Sequence, residues 1–233
     1  MMIRLVILFL IVCIAGWGPF SLFFTRTITA PLGTQAWINE EIKDIDAQAS
    51  NLDHQVLKIA LIAYIHAHAL GIARTPIVTI IDYSKPSLRR RLWVIDVNHG
   101  KILFNTWVTH GKNSGDITAT SFSNQQGSLK SSIGVFLTAN RPYVGEYGYA
   151  LRIVGLEKNF NDNAYKRNIV FHGAWYADPK NISQEGELGR SWGCPAVSEK
   201  IVRSLIDTIR DRTLVVVYYP DRRWLNQSTF LGA

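Results

Sequence analysis

The chain has 233 residues, of which 47% are apolar and only 8 are proline, so it can bury one sizeable core and is not disordered throughout. Its two cysteines, Cys13 and Cys194, exclude a disulfide-rich scaffold and a four-cysteine zinc site. The net charge of +7 is unevenly distributed: residues 56–233 hold 22 basic and 13 acidic residues, a net charge of +9, which favours a polyanionic partner.

Residues 1–24 have the pattern of an export signal or a membrane anchor. A short basic stretch ending at Arg4 precedes an apolar run over residues 5–24. A cleaved signal needs about 7–15 apolar residues and a spanning helix about 20, so both alternatives stay open. Lipidation of Cys13 is a weaker third alternative, because the bulky Val12 precedes it. We expect an exported protein in the periplasm or cell envelope, attached to the inner membrane through residues 5–24 if the segment is retained.

The next segments are predicted to be helical and then rich in strands. Residues 25–54 are polar and acidic, and are predicted to form a linker of helical character. A helix rich in alanine and leucine follows; Asn51 or Asp53 would cap its start and Gly71 would end it. From Pro76 onward the pattern is typical of strands. They are predicted at residues 77–81, 92–97, 102–109, 133–138, 149–154, 168–172 and 213–219, the second and third forming a hairpin.

Two long polar loops lie between the strands, and one helix follows them. The loops span residues 111–132 and 174–190, and loops of this length in a compact domain are usually functional or disordered. We expect the first to form a substrate lid. The helix is predicted over residues 196–211 from apolar residues four apart, namely Val197, Ile201, Leu205 and Ile209. The fold class is mixed α+β, mainly β, and the body at 55–225 is followed by a tail at 226–233.

Cys194 would be the only cysteine of the exported body, and a lone thiol is unusual in an oxidising compartment. Gly193 permits a sharp turn before it, and Pro195 after it is a favoured first residue of a helix. A helix N-terminus and the nearby Arg190 would both stabilise the thiolate, so we expect a pKa below the ordinary value of about 8.5. The N–H groups of Gly193 and Cys194 could hold an oxyanion. The alternative role is that of a small buried apolar residue.

His172 is the candidate base for this thiol. It ends an apolar strand, and the segment from His172 to Cys194 is long enough to return beside it. The other five histidines have weaker positions: His66 and His68 are two apart and would face different sides of a helix, which argues against a zinc pair. No metal and no cofactor are expected. The arginine run at 89–91 is predicted to be a solvated turn, with contact to an anionic polymer as the alternative.

The pairing of His172-Gly173 with Ser191-Trp192-Gly193-Cys194 resembles the L,D-transpeptidase catalytic domain family, also called YkuD-like. That family joins a His-Gly element to a downstream Ser/Thr-His-Gly-Cys element, and here Trp192 stands in place of the second histidine. The stretch Gly-Arg-Ser-Trp-Gly-Cys-Pro-Ala resembles a divergent murein L,D-transpeptidase branch. The resemblance covers about residues 55–225 and implies a β-sandwich or barrel-like catalytic domain with an N-terminal helical segment and one helix after the cysteine.

The resemblance implies that Cys194 is a nucleophile, that His172 is its general base and that the Gly173 carbonyl orients the histidine. It implies acyl transfer between peptidoglycan stem peptides, giving 3→3 cross-links through a thioester. Water as the acceptor would instead give an L,D-carboxypeptidase or endopeptidase, and loss of the second histidine leaves an inactive wall-binding protein as a further alternative. A nucleic-acid binder rests on charge alone and is not expected in an exported protein. Candidate substrate-binding residues are Lys112, Arg152, Arg190, Ser191 and Trp192.

Overall fold

The computed structural model describes residues 30–232. The predicted signal or anchor at residues 1–24, with Cys13, lies outside the described residues. Within the described part, no helix combines the length and apolar character needed to cross a membrane.

Two helices precede the sheet, and a side chain caps each of them. Helix α1 spans Gln35–Asp46 and is capped by Thr34, whose hydroxyl accepts from the backbone N–H of Trp37. Helix α2 spans His54–Ala69, and of the two predicted caps it is Asp53 that accepts the first N–H groups. Helix α1 buries apolar residues on one face against α2, because Trp37 and Ile45 recur at helical spacing. The segment predicted as a linker therefore also contributes to the core.

The described residues form nine strands in one mixed sheet. The strands are β1 Ile77–Asp82, β2 Leu92–Asp96, β3 Lys101–Thr106, β4 Gly134–Thr138, β5 Tyr143–Gly145, β6 Gly148–Gly155, β7 Val170–Gly173, β8 Ala196–Val197 and β9 Leu214–Tyr218. The strand order is β3-β2-β1-β9-β4-β6-β7-β8, with β5 paired to β6; the β1–β9 and β7–β8 pairs are parallel. The sheet curls into a nearly closed, barrel-like shape, so the predicted class, mixed α+β and mainly β, is confirmed.

Each face of the sheet packs against its own set of helices. Val78 and Ile80 of β1 belong to the cluster beneath α1 and α2, whereas Ile77 and Ile81 belong to the cluster beneath the helix at Val202–Ile209. This division follows from the alternation of side chains along a strand. The remaining helices are α3 Lys180–Glu185, α4 Val202–Ile209 and α5 Arg222–Gln227, with a 3₁₀ turn at Trp175–Ala177.

The helix predicted over residues 196–211 begins later than expected. Ala196–Val197 form strand β8, and the helix starts only after Ile201. The reason is long-range: β8 pairs in parallel with His172 and Gly173 of β7, and this ladder prevails over the local helical pattern. A second helix, α5, also lies beyond the cysteine, where the resemblance implied one.

The C-terminal segment packs on the sheet around a buried carboxylate. Glu157 accepts from the backbone N–H of Val135 at 2.6 Å, from Nε1 of Trp224 at 2.9 Å and from the hydroxyl of Ser228. Burial raises the pKa of Glu157. Phe230 is buried in the same core cluster, so the predicted tail at residues 226–233 contributes to the domain.

Replacing Trp224 with Ala should lower the free energy of unfolding by about 3–5 kcal/mol, because the side chain is fully buried and its removal leaves a cavity. Urea denaturation measures this. Asn226→Ala, an exposed position on the same helix, is the matched control and should change stability by less than about 0.5 kcal/mol. A loss below about 1 kcal/mol for Trp224→Ala would contradict the role of α5 as part of the core.

Candidate active site

Strands β7 and β8 bring His172 and Cys194 to one cavity. His172 pairs with Ala196, two residues beyond the cysteine, in the parallel β7–β8 ladder. Both side chains line a cavity of about 800 Å³. Of the other predicted site residues, Gly173, Arg190, Ser191 and Trp192 line the same cavity, whereas Gly193, Lys112 and Arg152 are not part of its described wall.

The thiol of Cys194 lies in an environment unlike the predicted one. Its side chain is buried, and Sγ donates a weak hydrogen bond to the carbonyl oxygen of Asn168 at 3.7 Å. Because strand β8 follows Pro195, no helix begins at the cysteine, contrary to the prediction. Burial raises the pKa of the Cys194 thiol, and a hydrogen bond with the Val170 backbone and the charge of Arg167 only partly oppose this. The prediction of a lowered pKa is therefore wrong, and the resting thiol is protonated at neutral pH.

The imidazole of His172 is held in one tautomer. Nδ1 lies 3.0 Å from the carbonyl oxygen of Gly173, and since a carbonyl only accepts, Nδ1 carries the proton. Nε2 is then left with its lone pair. Burial lowers the pKa of His172, with the Gly173 hydrogen bond acting in the opposite direction. The ring of Tyr147 lies 5.2 Å from the imidazole. The resting pair is thus a neutral thiol and a neutral base.

Ser191 stabilises the turn that carries the cysteine. Its hydroxyl donates to the carbonyl oxygen of Cys194 at 2.6 Å and accepts from the backbone N–H of Gly193 at 3.1 Å. Its backbone N–H donates to the carbonyl of His110 at 2.9 Å. Both bonds of the hydroxyl are therefore made within the turn. Of the two N–H groups predicted to hold an oxyanion, that of Gly193 is already used, which leaves that of Cys194.

Gly193 is required by the close approach of the loop over residues 111–132. Its φ is +120°, and a Cβ at this position would lie 2.7 Å from the carbonyl oxygen of Lys130. Any other residue would meet both backbone strain and a steric clash. The loop itself is joined to the site by further bonds: Ser131 donates to the Gly193 carbonyl and accepts from the N–H of Gly111. It forms part of the wall around the cysteine turn.

Of the three predicted cations, Arg190 and Arg152 bind other side chains of the described residues. Arg190 pairs with Asp116 and with Glu187 at 3.1 Å, so its charge is neutralised by carboxylates and does not serve the thiolate as predicted. Arg152 donates to the side-chain oxygen of Asn168 at 2.9 Å, with its guanidinium over the rings of Tyr143 and Tyr165.

Arg91 is buried, although the arginine run at 89–91 was predicted to be a solvated turn. Its guanidinium donates to the carbonyls of Val108 and Lys85 and to Nδ1 of His110 at 2.7 Å. Burial lowers the pKa of Arg91 to about 10, and burial together with the Arg91 charge lowers the pKa of His110 to about 4. The neutral His110 donates through Nε2 to the Gly115 carbonyl. This network lies directly behind the cysteine turn.

Several residues of the cavity carry no signal in the sequence. Arg167 lies in an unremarkable polar stretch, and Tyr147 follows an exposed three-residue strand. Tyr176 has a pKa raised to about 12, chiefly by burial. They are joined by Trp192, which the sequence did suggest and which lines the mouth with 65% of its surface exposed. These side chains meet only because three separate connections converge on the β7–β8 edge.

A family model described as the L,D-transpeptidase catalytic domain matches residues 48–218. The chain belongs to this family. No curated protein matches the chain.

Solved L,D-transpeptidases are similar to this family member at low identity. One from Mycobacterium smegmatis is 14% identical over 62% of this chain and 59% of its own, with a TM-score of 0.37. L,D-transpeptidase 1 of Mycobacterium tuberculosis is 13% identical over 60% of each chain, with a TM-score of 0.34. An L,D-transpeptidase from Stackebrandtia nassauensis is 11% identical over 80% of this chain and 92% of its own, with a TM-score of 0.36. The match thus spans about three fifths of the mycobacterial proteins.

The rate of Cys194 alkylation by iodoacetamide should reach half its maximum above pH 8.5 or so, the ordinary thiol value, because burial raises the pKa of Cys194. His172→Ala should leave this profile unchanged, since a neutral imidazole does not stabilise a thiolate. A half-maximum below the ordinary value that moves upward in His172→Ala would instead indicate a thiolate–imidazolium pair.

Gly193→Ala should destabilise the protein by at least about 2 kcal/mol in urea denaturation, because strain and a clash act together. Gly127→Ala is the matched control: Gly127 also has a positive φ, in the same loop, but a Cβ there meets nothing within 4 Å. The control should lose only about 1 kcal/mol. Equal losses in the two variants would contradict the close approach at Gly193.

Proposed function

We propose that this L,D-transpeptidase family member is active on peptidoglycan stem peptides in the cell envelope, with Cys194 as nucleophile and His172 as base. The observation that carries the proposal is the placement of both side chains in one cavity. The tautomer of His172 supports it, because Nε2 has a free lone pair. The basic body of the chain suits a polyanionic wall.

In the first half-reaction, Sγ of Cys194 attacks the carbonyl that joins the L-centre of diaminopimelate to D-alanine, while the thiol proton moves to Nε2 of His172. The carbon–nitrogen bond breaks, the proton passes to the leaving amine, and D-alanine departs. The product is a thioester between Cys194 and the stem peptide. Proton transfer during attack suits a neutral thiol and a neutral base, because neither group needs to be charged beforehand.

In the second half-reaction, an amine of another stem attacks the thioester carbon. Nε2 of His172 accepts a proton from that amine and returns it to the departing sulfur. A 3→3 cross-link forms and the thiol is regenerated. With water in place of the amine, the same intermediate gives a shortened stem, which is the hydrolytic alternative.

Trp192 cannot take part in the proton transfers of this reaction. It stands where the family has a second histidine, and an indole neither accepts nor releases a proton near neutral pH. Within the described cavity wall, His172 is then the only histidine. All proton transfers are therefore assigned to His172, and Trp192 contributes an exposed apolar surface at the mouth.

The test incubates the purified full chain with a disaccharide-tetrapeptide and identifies the products by mass spectrometry. We expect a cross-linked dimer and release of D-alanine. Tripeptide without a dimer would assign the chain to the hydrolytic alternative. Absence of both products, with the chain still bound to peptidoglycan, would overturn the enzymatic proposal in favour of a wall-binding protein.

The controls are Cys194→Ala, which should abolish both products, and His172→Ala, which should lower the rate at least 100-fold because it removes the base. A product that persists in Cys194→Ala would exclude the thioester route. Circular dichroism checks that each variant is folded.

A further inference from the structure

Two arginines line the catalytic cavity, and they differ in how their charge is compensated. Arg190 pairs with the carboxylates of Asp116 and Glu187. The hydrogen bonds of Arg167 instead go to neutral oxygens. The acceptors are the carbonyls of Ser123 and Lys130 and the hydroxyls of Ser128 and Ser132. Among residues 30–232, no carboxylate pairs with Arg167.

A partly buried cation without a counterion is costly, because its lost hydration is not fully replaced. Neutral oxygens stabilise a guanidinium only in part, so the site favours an anion nearby. Besides Arg167, the cavity wall carries the carboxylates of Glu146 and Glu199, which form no ion pair with Arg167, and the thiol of Cys194, whose sulfur takes on negative charge during the proposed reaction.

The guanidinium of Arg167 lies next to the turn that carries Cys194. One terminal nitrogen of Arg167 lies 3.3 Å from the position that a Cβ of Gly193 would occupy, directly before Cys194. Asn168, the neighbour of Arg167, accepts the hydrogen bond of the thiol. Arg167 and Cys194 are thus linked twice through neighbouring residues: the guanidinium of Arg167 lies beside Gly193, and the thiol of Cys194 bonds to Asn168.

We propose that Arg167 supplies the positive charge that stabilises the sulfur anion of Cys194. The hydrogen bonds of its guanidinium also hold the loop over residues 111–132 against the cysteine turn. This charge role rests on the proposed nucleophilic role of Cys194. Four acceptors on the loop fix the guanidinium, so its charge is in place before the thiol loses its proton. The role that the sequence assigned to Arg190 thereby passes to Arg167. In the same direction, a hydrogen bond with the Val170 backbone and, after it, the charge of Arg167 lower the pKa of Cys194 against the effect of burial.

The test is the pH profile of Cys194 alkylation by iodoacetamide in the full chain, without substrate. Arg167→Gln should raise the thiol pKa by about one unit, which means roughly tenfold slower alkylation at pH 8. Arg167→Lys keeps the charge but loses the guanidinium and its paired hydrogen bonds, so its thiol pKa should lie between that of the wild type and that of Arg167→Gln. Arg223→Gln is the matched control: Arg223 stacks on Phe160 away from the cavity, and its loss should leave the profile unchanged.

A folded Arg167→Gln variant with an unchanged thiol pKa would overturn the proposal. If that variant also had a raised KM for the tetrapeptide, Arg167 would bind a substrate carboxylate instead. Should Arg167→Gln fail to fold, Arg167→Met is compared with Arg167→Lys, from which it differs chiefly in charge: a higher thiol pKa in the methionine variant supports the proposal, and equal values overturn it.

Because the titration uses no substrate, it is independent of the product assay. A shifted profile without product would leave the charge role intact and remove the proposed function. Cross-linked product together with an unshifted profile would support the proposed function and overturn the charge role of Arg167.

Discussion

The parallel pairing of β7 with β8 is the contact on which the site depends. It is only two residues long on the β8 side, yet it sets His172 beside the segment that carries Cys194. Ser191 supports that segment from within by bonding to the carbonyl of Cys194. The buried Arg91 supports it from behind through His110. A short ladder is sufficient because hydrogen bonds from several elements fix the turn that precedes it.

Burial then determines the protonation states of His172 and Cys194 before substrate binds. Both His172 and Cys194 are withdrawn from water, and withdrawal disfavours the charged form of each. A preformed ion pair would need a stronger compensating charge than Arg167 alone provides. The chemistry proposed for the cavity therefore moves its proton during attack, and a fixed cation beside the sulfur becomes more important than a low resting pKa.

The sequence was sufficient for features that depend on local chemistry. The strand-rich body and a helix cap at Asn51 or Asp53, of which Asp53 is the observed one, follow from residue types within a few positions of one another. The pairing of His172 with Cys194 rested instead on the length of the connection between them and on the family resemblance. The helix start at residue 196 was wrong because a pairing partner 24 residues earlier in the chain competes for the same backbone. The identity of the uncompensated cation was also beyond the sequence. Arg190 is near Cys194 along the chain but is neutralised by Asp116, whereas Arg167 is distant along the chain and close in space.

The packing of the two ends of the described chain has a spatial consequence. Ala30 and Phe230 both pack into the apolar cluster beneath α1 and α2, while Cys194 belongs to the cluster on the opposite face of the sheet. Anything joined to either end, whether a natural segment or a laboratory fusion, would start on the helical side. The sheet would separate it from the cluster that contains Cys194. A surface that held the protein by either of these ends would thus lie on the side of α1 and α2, with the sheet between that surface and Cys194.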